Sequence, residues 1–105
     1  MVRSTIVKSL DAERDLEELF DTIASDSGVQ RAEAVLRRIE RTLLNLADWP
    51  FIGRIRPELD GAPRAFSVWP WIVIYEPQPH ERGIYVWRIV DGRRDLARLF
   101  RPPVR

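Results

Sequence analysis

The sequence predicts an α+β domain in the order β-αα-βββ: a two-helix antiparallel hairpin on one face of a small, curved, mainly antiparallel sheet. Two observations predict it. Apolar residues recur at helical spacing from about residue 12 to residue 47, and beyond residue 64 the period changes to two. A short β-branched stretch ahead of the first helix adds one more strand. Helices that precede a run of strands, instead of alternating with them, cover one face of the sheet and leave the other for a partner. At 105 residues with 45% apolar content, a single domain over 1–105 with one core is expected.

The first strand is "VRSTIVK", residues 2–8, roughly alternating and rich in β-branched side chains. Ser9 or Asp11 then offers a helix N-cap. Asp11, Glu13 and Asp15 place negative charge in the first turn, where the helix dipole favours it. Ala12, Leu16, Leu19, Phe20 and Ile23 form the apolar stripe of this helix, and Gly28 is its natural stop. A second helix runs from Val29 to Ala47 with the stripe Ala32, Val35, Leu36, Ile39, Leu43 and Leu46; Arg31, Arg37, Arg38 and Arg41 mark its wet side. A short connection between two such helices makes a hairpin. Residues 48–63, "DWPFIGRIRPELDGAP", hold three prolines and two glycines and read as a loop, long enough to suggest a packed or binding segment. Strands follow at 64–68, 71–76 and 83–90, the last two joined by the hairpin turn "PQPHERG". A turn at Asp91-Gly92, a short helical segment at Leu96–Phe100 and a stop at Pro102-Pro103 complete the chain.

Composition narrows the chemistry. There is no cysteine and one histidine, so disulfides, thiolate sites and a structural zinc site are not expected, and the sequence calls for no cofactor. No apolar run reaches membrane-spanning length and the N-terminus lacks a signal-peptide core, which favours a soluble cytoplasmic protein. The net charge of +1 conceals a gradient: residues 1–60 carry 9 basic and 12 acidic side chains, residues 81–105 carry 7 and 3. Every basic residue but Lys8 is arginine, whose planar fork suits bidentate contacts to carboxylates or phosphates. A basic C-terminal end fits an acidic partner; arginine usage in a GC-rich genome is the plain alternative.

Several segments together resemble the ParE/RelE toxin superfamily. "DAERDLEELFDTIASDSG" is similar to its opening helix at Ala12, Asp15, Leu16, Phe20 and Ile23. "LLNLADWPFIGRIRPEL" is similar at Leu43, Leu46, Pro50, Gly53 and Arg54. "PRAFSVWPWIVIYEP" resembles the central hairpin through Arg64, Phe66, Ile74 and Tyr75. "IYVWRIVDGRRDL" resembles the closing strand through Val86, Arg88, Ile89, Gly92, Arg94, Asp95 and Leu96. The likeness spans roughly residues 3–100. It implies the toxin of a type II toxin–antitoxin system, neutralised by a small ParD-like antitoxin, often ribbon-helix-helix, through that antitoxin's C-terminal segment. Within the superfamily, ParE-branch toxins are implicated in poisoning DNA gyrase, and RelE-branch toxins cleave mRNA in the ribosomal A site. Fold cannot choose between the two.

The residues lean toward the ParE branch. RNA cleavage needs an activated 2′-hydroxyl, a stabilised phosphate and a protonated leaving oxygen. After Arg94 the tail has no His, Tyr or Lys; His80 falls in a hairpin turn, Tyr75 and Tyr85 read as packing, and Glu76 has no obvious acid partner. No catalytic residue is therefore expected, with a RelE-like ribosome-dependent endonuclease using Arg64, Arg88 and Arg94 as the alternative. Direct nucleic-acid binding is expected only through the antitoxin complex. Target- or antitoxin-binding candidates are Arg64, Trp69, Trp71, Arg88, Arg93 and Arg94. For Arg88 and Arg94 a structural pairing with Asp91, Asp95 or Glu76 is the competing reading. Core packing competes at each of the four tryptophans: Trp71 and Trp87 in strands, Trp49 and Trp69 in loops. Leu10, Leu19 and Leu44 are further possible partner contacts on the helices.

Overall fold

The computed structural model describes residues 4–94. In chain order these form β1 (Thr5–Lys8), α1 (Leu10–Ser27), α2 (Val29–Asp48), β2 (Arg54–Ile55), β3 (Arg64–Val68), β4 (Trp71–Pro77) and β5 (Gly83–Asp91). The strands make one five-stranded sheet in the order β1-β5-β4-β3-β2. β1 runs parallel to β5, and every other pairing is antiparallel. The order β-αα then strands is as the period change predicts. β2 is the addition: Arg54 and Ile55 pair with Ala65 and Arg64 inside the segment read as loop. Two residues are too few to show alternation, which is why periodicity missed them. The predicted segment at Leu96–Phe100, the Pro102-Pro103 stop and the start of the first strand at residues 2 and 3 lie outside the described residues.

Ser9, not Asp11, is the N-cap of α1. Its hydroxyl accepts the Ala12 N–H at 3.0 Å and donates to the Trp87 carbonyl at 2.7 Å, so the cap also ties the helix start to β5. Gly28 alone separates the helices. It sits at φ +92°, a region open to glycine, and its N–H closes α1 on the Ala24 carbonyl at 3.0 Å.

The core lies between the helices and one face of the sheet. Ala12 and Leu19 of α1 and Val35, Ile39, Leu43, Leu46 and Ala47 of α2 meet Val68, Val73, Tyr75, Ile84, Val86 and Ile89. Leu19 is thus a core residue, 5% exposed, whereas Leu10 and Leu44 are exposed.

The opposite face is not simply open, as the layer argument expected. Residues 56–63 fold across it: Arg56 N–H donates to the Pro63 carbonyl, Leu59 N–H to Arg56 and Ala62 N–H to Leu59. Leu59 is thereby buried against Ile74 and Trp87, with Ile72, Tyr85 and Val90 around them. Gly61, at φ +86°, lies so close to the Trp87 ring that a Cβ would approach its outer carbon to 2.8 Å. A β-bulge makes this second cluster possible. Ile74 pairs with Arg88 and Tyr75 with Val86, leaving Trp87 as the extra residue on β5.

Candidate functional site

β1 stops at Lys8, which leaves the far half of β5 unpaired on the edge opposite β4. Side chains at the start of α1 take over that edge. Ser9 N–H donates to the Val86 carbonyl and the Ser9 hydroxyl to Trp87. Asp15 accepts the Ile89 N–H at 2.9 Å and holds the Arg88 guanidinium in a fork at 2.8 and 2.9 Å. The hydrogen bonds it donates to Asp15 raise the Arg88 pKa, so this guanidinium is firmly cationic. Asp15 therefore lies past the first turn of α1, where Asp11 and Glu13 stand alone, and serves the sheet and not the dipole. In place of the Asp91 or Glu76 expected for Arg88, the structure supplies a residue 73 positions earlier; Asp95 lies outside the described residues.

Beside this pair runs a cleft lined by Asp15, Glu18 and Thr22 of α1 and by Trp71, Arg88, Asp91 and Arg94 at the end of the sheet. Arg94 is exposed at its mouth, with its N–H on the Asp91 carbonyl at 3.2 Å. Arg93 is exposed and pairs with Asp91. Two side-chain bonds, at 2.9 and 2.6 Å, and a backbone N–H bond at 2.9 Å fix the Asp91-Gly92 turn. The Arg93 hydrogen bonds hold the Asp91 carboxyl down at about 2.

Four of the six candidates, Trp71, Arg88, Arg93 and Arg94, thus gather at one end of β5. The other two lie elsewhere. Trp69 is at the β3–β4 tip, 62% exposed, with its carbonyl held by Arg38 at 3.0 Å. The packing alternative for Trp69 and Trp49 is therefore not what the fold adopts; both rings stand in water, while Trp87 is buried and Trp71 packs against the main core. Arg64 is on β3 and points at the loop before β2. It donates to the carbonyls of Phe51 at 3.2 Å and Gly53 at 2.8 Å, and its guanidinium lies 5.1 Å from the centre of the Phe51 ring.

Tyr75 joins Arg64 in holding that loop. Its buried hydroxyl donates to the Pro50 carbonyl and accepts the Gly53 N–H, each at 2.9 Å. Burial pushes the phenol pKa up, away from any role as a base near neutrality. Asp15, Tyr75 and Phe51 are the residues whose roles the sequence did not disclose. Their partners are distant in the chain, so no local spacing signals them. Among the described residues no group of three or more His, Cys, Asp or Glu side chains could hold a metal ion, and no helix is long and apolar enough to cross a membrane.

The described residues thus form a helical hairpin on a mixed five-stranded sheet, with the Asp15–Arg88 contact on the edge of β5. Residues 6–96 match the family model described as "ParE toxin of type II toxin-antitoxin system, parDE". The curated relative Toxin ParE3 of Caulobacter vibrioides is 35% identical over 92 residues, covering 88% of this chain and 90% of the relative. The chain belongs to the ParE toxin family. A solved structure described as the chromosomal ParDE toxin–antitoxin system from P. aeruginosa superposes with a TM-score of 0.68. That match is 19% identical and covers 83% of this chain and 94% of the other, a likeness of fold.

Proposed function

We propose that this ParE-family toxin arrests growth by binding DNA gyrase in the cytoplasm, and that a ParD-like ribbon-helix-helix antitoxin neutralises it through its C-terminal segment. The observation that carries the gyrase reading is the engagement of the groups a ribonuclease would draw on. The Tyr75 phenol spends both hydrogen-bonding roles on Pro50 and Gly53. Arg64 holds the same loop, and Arg88 is forked onto Asp15. The bulk of the sheet's second face is filled by Leu59, Ile74 and Trp87. A site so occupied suits recognition by surface, with Trp71, Arg93 and Arg94, together with Trp69, as contacts to target or antitoxin. Arg64 and Arg88 act as positioning residues in this reading.

A supercoiling assay with the purified chain tests it. Gyrase inhibition at micromolar toxin, relieved by the cognate antitoxin, is the expected result. Growth arrest should be lost in Arg94→Ala while the thermal midpoint is unchanged. Undisturbed gyrase together with A-site mRNA cleavage in a toeprinting assay would overturn the proposal in favour of the RelE-like alternative.

A further inference from the structure

The arginines of α2 fall into two sets. On the outer side Arg37 stands four residues after Glu33 and three before Glu40, the spacing at which opposite charges on a helix meet. Arg31, Arg38 and Arg41 lie along the other flank, and no Asp or Glu stands three or four residues from any of them. All three are exposed, and among the described residues none of them forms an ion pair. Arg38 and Arg41 are like charges three residues apart, a spacing that works slightly against the helix. The helix itself therefore gains nothing from this row of cations.

The fold gives the row a fixed setting. Arg38, Arg41 and Asn45 line an open groove with Leu44, Phe66 of β3 and, at the end of the helix, Asp48. Asp48 is the single carboxylate among these residues, and it accepts the Ser4 hydroxyl at 2.7 Å. Arg38 donates to the Trp69 carbonyl at 3.0 Å. That bond anchors the guanidinium at the β3–β4 tip and uses one of its five N–H donors, so little ordering opposes a further contact.

The shape and content of the row select the anion. From Arg31 to Arg41 it runs about 15 Å along the helix axis. One strand of a DNA duplex sets roughly four phosphates over that length, at about 3.4 Å of rise each. Asn45, four residues beyond Arg41, adds an amide donor of the kind that bonds phosphate oxygens. An acidic protein segment would fit an apolar centre with charges at its rim. Here the centre is arginine: Phe66 is packed on the core, and the exposed Leu44, six residues on from Arg38, falls outside the row. A single-stranded nucleic acid would fit a series of aromatic platforms. Among the described residues, Trp69 is the one exposed aromatic bonded to this row.

We infer that the Arg31–Arg38–Arg41 flank of α2 binds the phosphate backbone of duplex DNA without reading its bases. The sequence expectation confined DNA contact to the antitoxin complex; this flank adds a contact of the toxin's own. The inference does not rest on the gyrase reading, because the affinity for DNA is measured without the enzyme.

Fluorescence anisotropy of a labelled duplex of about 20 base pairs and arbitrary sequence, titrated with the purified full chain, tests it. Half-saturation is expected between about 1 and 100 µM at low salt, with a log–log salt slope near −2.7, about −0.9 for each of three phosphates. Arg31→Gln combined with Arg41→Gln leaves the Arg38–Trp69 contact in place. The pair should weaken binding about tenfold or more and flatten the slope by about 2, with far-UV circular dichroism unchanged. Should the pair disturb the fold, Arg41→Gln alone carries the test, with a slope change of about 1. Arg37→Gln, on the acid-flanked side, should stay within about twofold of wild type. No binding at 100 µM overturns the inference, as does binding that the Arg31 and Arg41 substitutions leave unchanged. An equal loss in Arg37→Gln overturns it as an effect of net charge alone. Tighter binding of a single strand overturns the choice of duplex. Preference for a labelled polyglutamate peptide, lost in the double variant, overturns it as well and assigns the flank to an acidic protein segment.

Discussion

Asp15 on α1 and Arg88 on β5 form a two-bond ion pair at 2.8 and 2.9 Å, and the same carboxylate accepts the Ile89 N–H at 2.9 Å. One side chain thus substitutes for the strand that β5 lacks beyond the end of β1. The helix hairpin is pinned to the sheet at the place where the cleft carrying Trp71 and Arg94 begins.

The two partners are not equivalent, which gives a first prediction. Asp15→Ala removes the carboxylate from both Arg88 and the Ile89 amide, leaving a partly buried cation and an edge donor without their acceptor. A loss of about 2–4 kcal/mol is expected in urea denaturation. Arg88→Ala leaves Asp15 still bonded to Ile89 and should cost less, about 1–2 kcal/mol. The reverse order would show that the arginine stem, and not the carboxylate, carries the contact.

Tyr75→Phe keeps the ring in the core and deletes only the hydroxyl shared by Pro50 and Gly53. A cost of about 1–2 kcal/mol is expected. Faster hydrogen exchange at the Gly53 amide should accompany it, with the β4 and β5 amides following only the global change. Uniform acceleration across the sheet would mean that the hydroxyl supports the core and not the loop.

The second cluster stands or falls with Leu59 and Gly61. Leu59→Ala empties a buried site beside Ile74 and Trp87 and should cost about 2–4 kcal/mol. Gly61→Ala forces a side chain to φ +86° and against the Trp87 ring, with a penalty of about 1–3 kcal/mol. Trp87 fluorescence should shift to the red in both variants as water reaches the indole, measured against a background in which the other three tryptophans are replaced by phenylalanine.

The Asp91 carboxyl, held by Arg93, should titrate at about 2 in place of its ordinary 3.8. A folded value below the unfolded one means that the pair contributes above about pH 4 and that its contribution fades as pH falls toward 2. Carbon-detected NMR titration of the side chain gives the midpoint, and Arg93→Ala should return it toward 3.8. Because Arg93 is exposed and its pair is screened by water, the same substitution should lower the denaturation midpoint at neutral pH only slightly.

The sequence by itself determined the helical hairpin, the antiparallel hairpin of β4 and β5, and the core stripe from Ala12 to Leu46. Each rests on contacts between neighbours three, four or two residues apart, and periodicity records such contacts directly. The motifs around Ala12, Gly53, Arg64 and Arg88 were likewise enough to suggest the toxin family. Only the tertiary structure decided what the candidate residues do. Arg88 meets a carboxylate 73 residues away, Tyr75 reaches back to Gly53 across 22, and Leu59 leaves a proline-rich loop to bury itself against Trp87. Whether Trp49 and Trp69 are covered or exposed turns on where the loops fold, because both side chains have the same composition-level affinity for a core and for an interface. Long-range pairing is set by the closure of the whole sheet, and a one-dimensional pattern holds no trace of it.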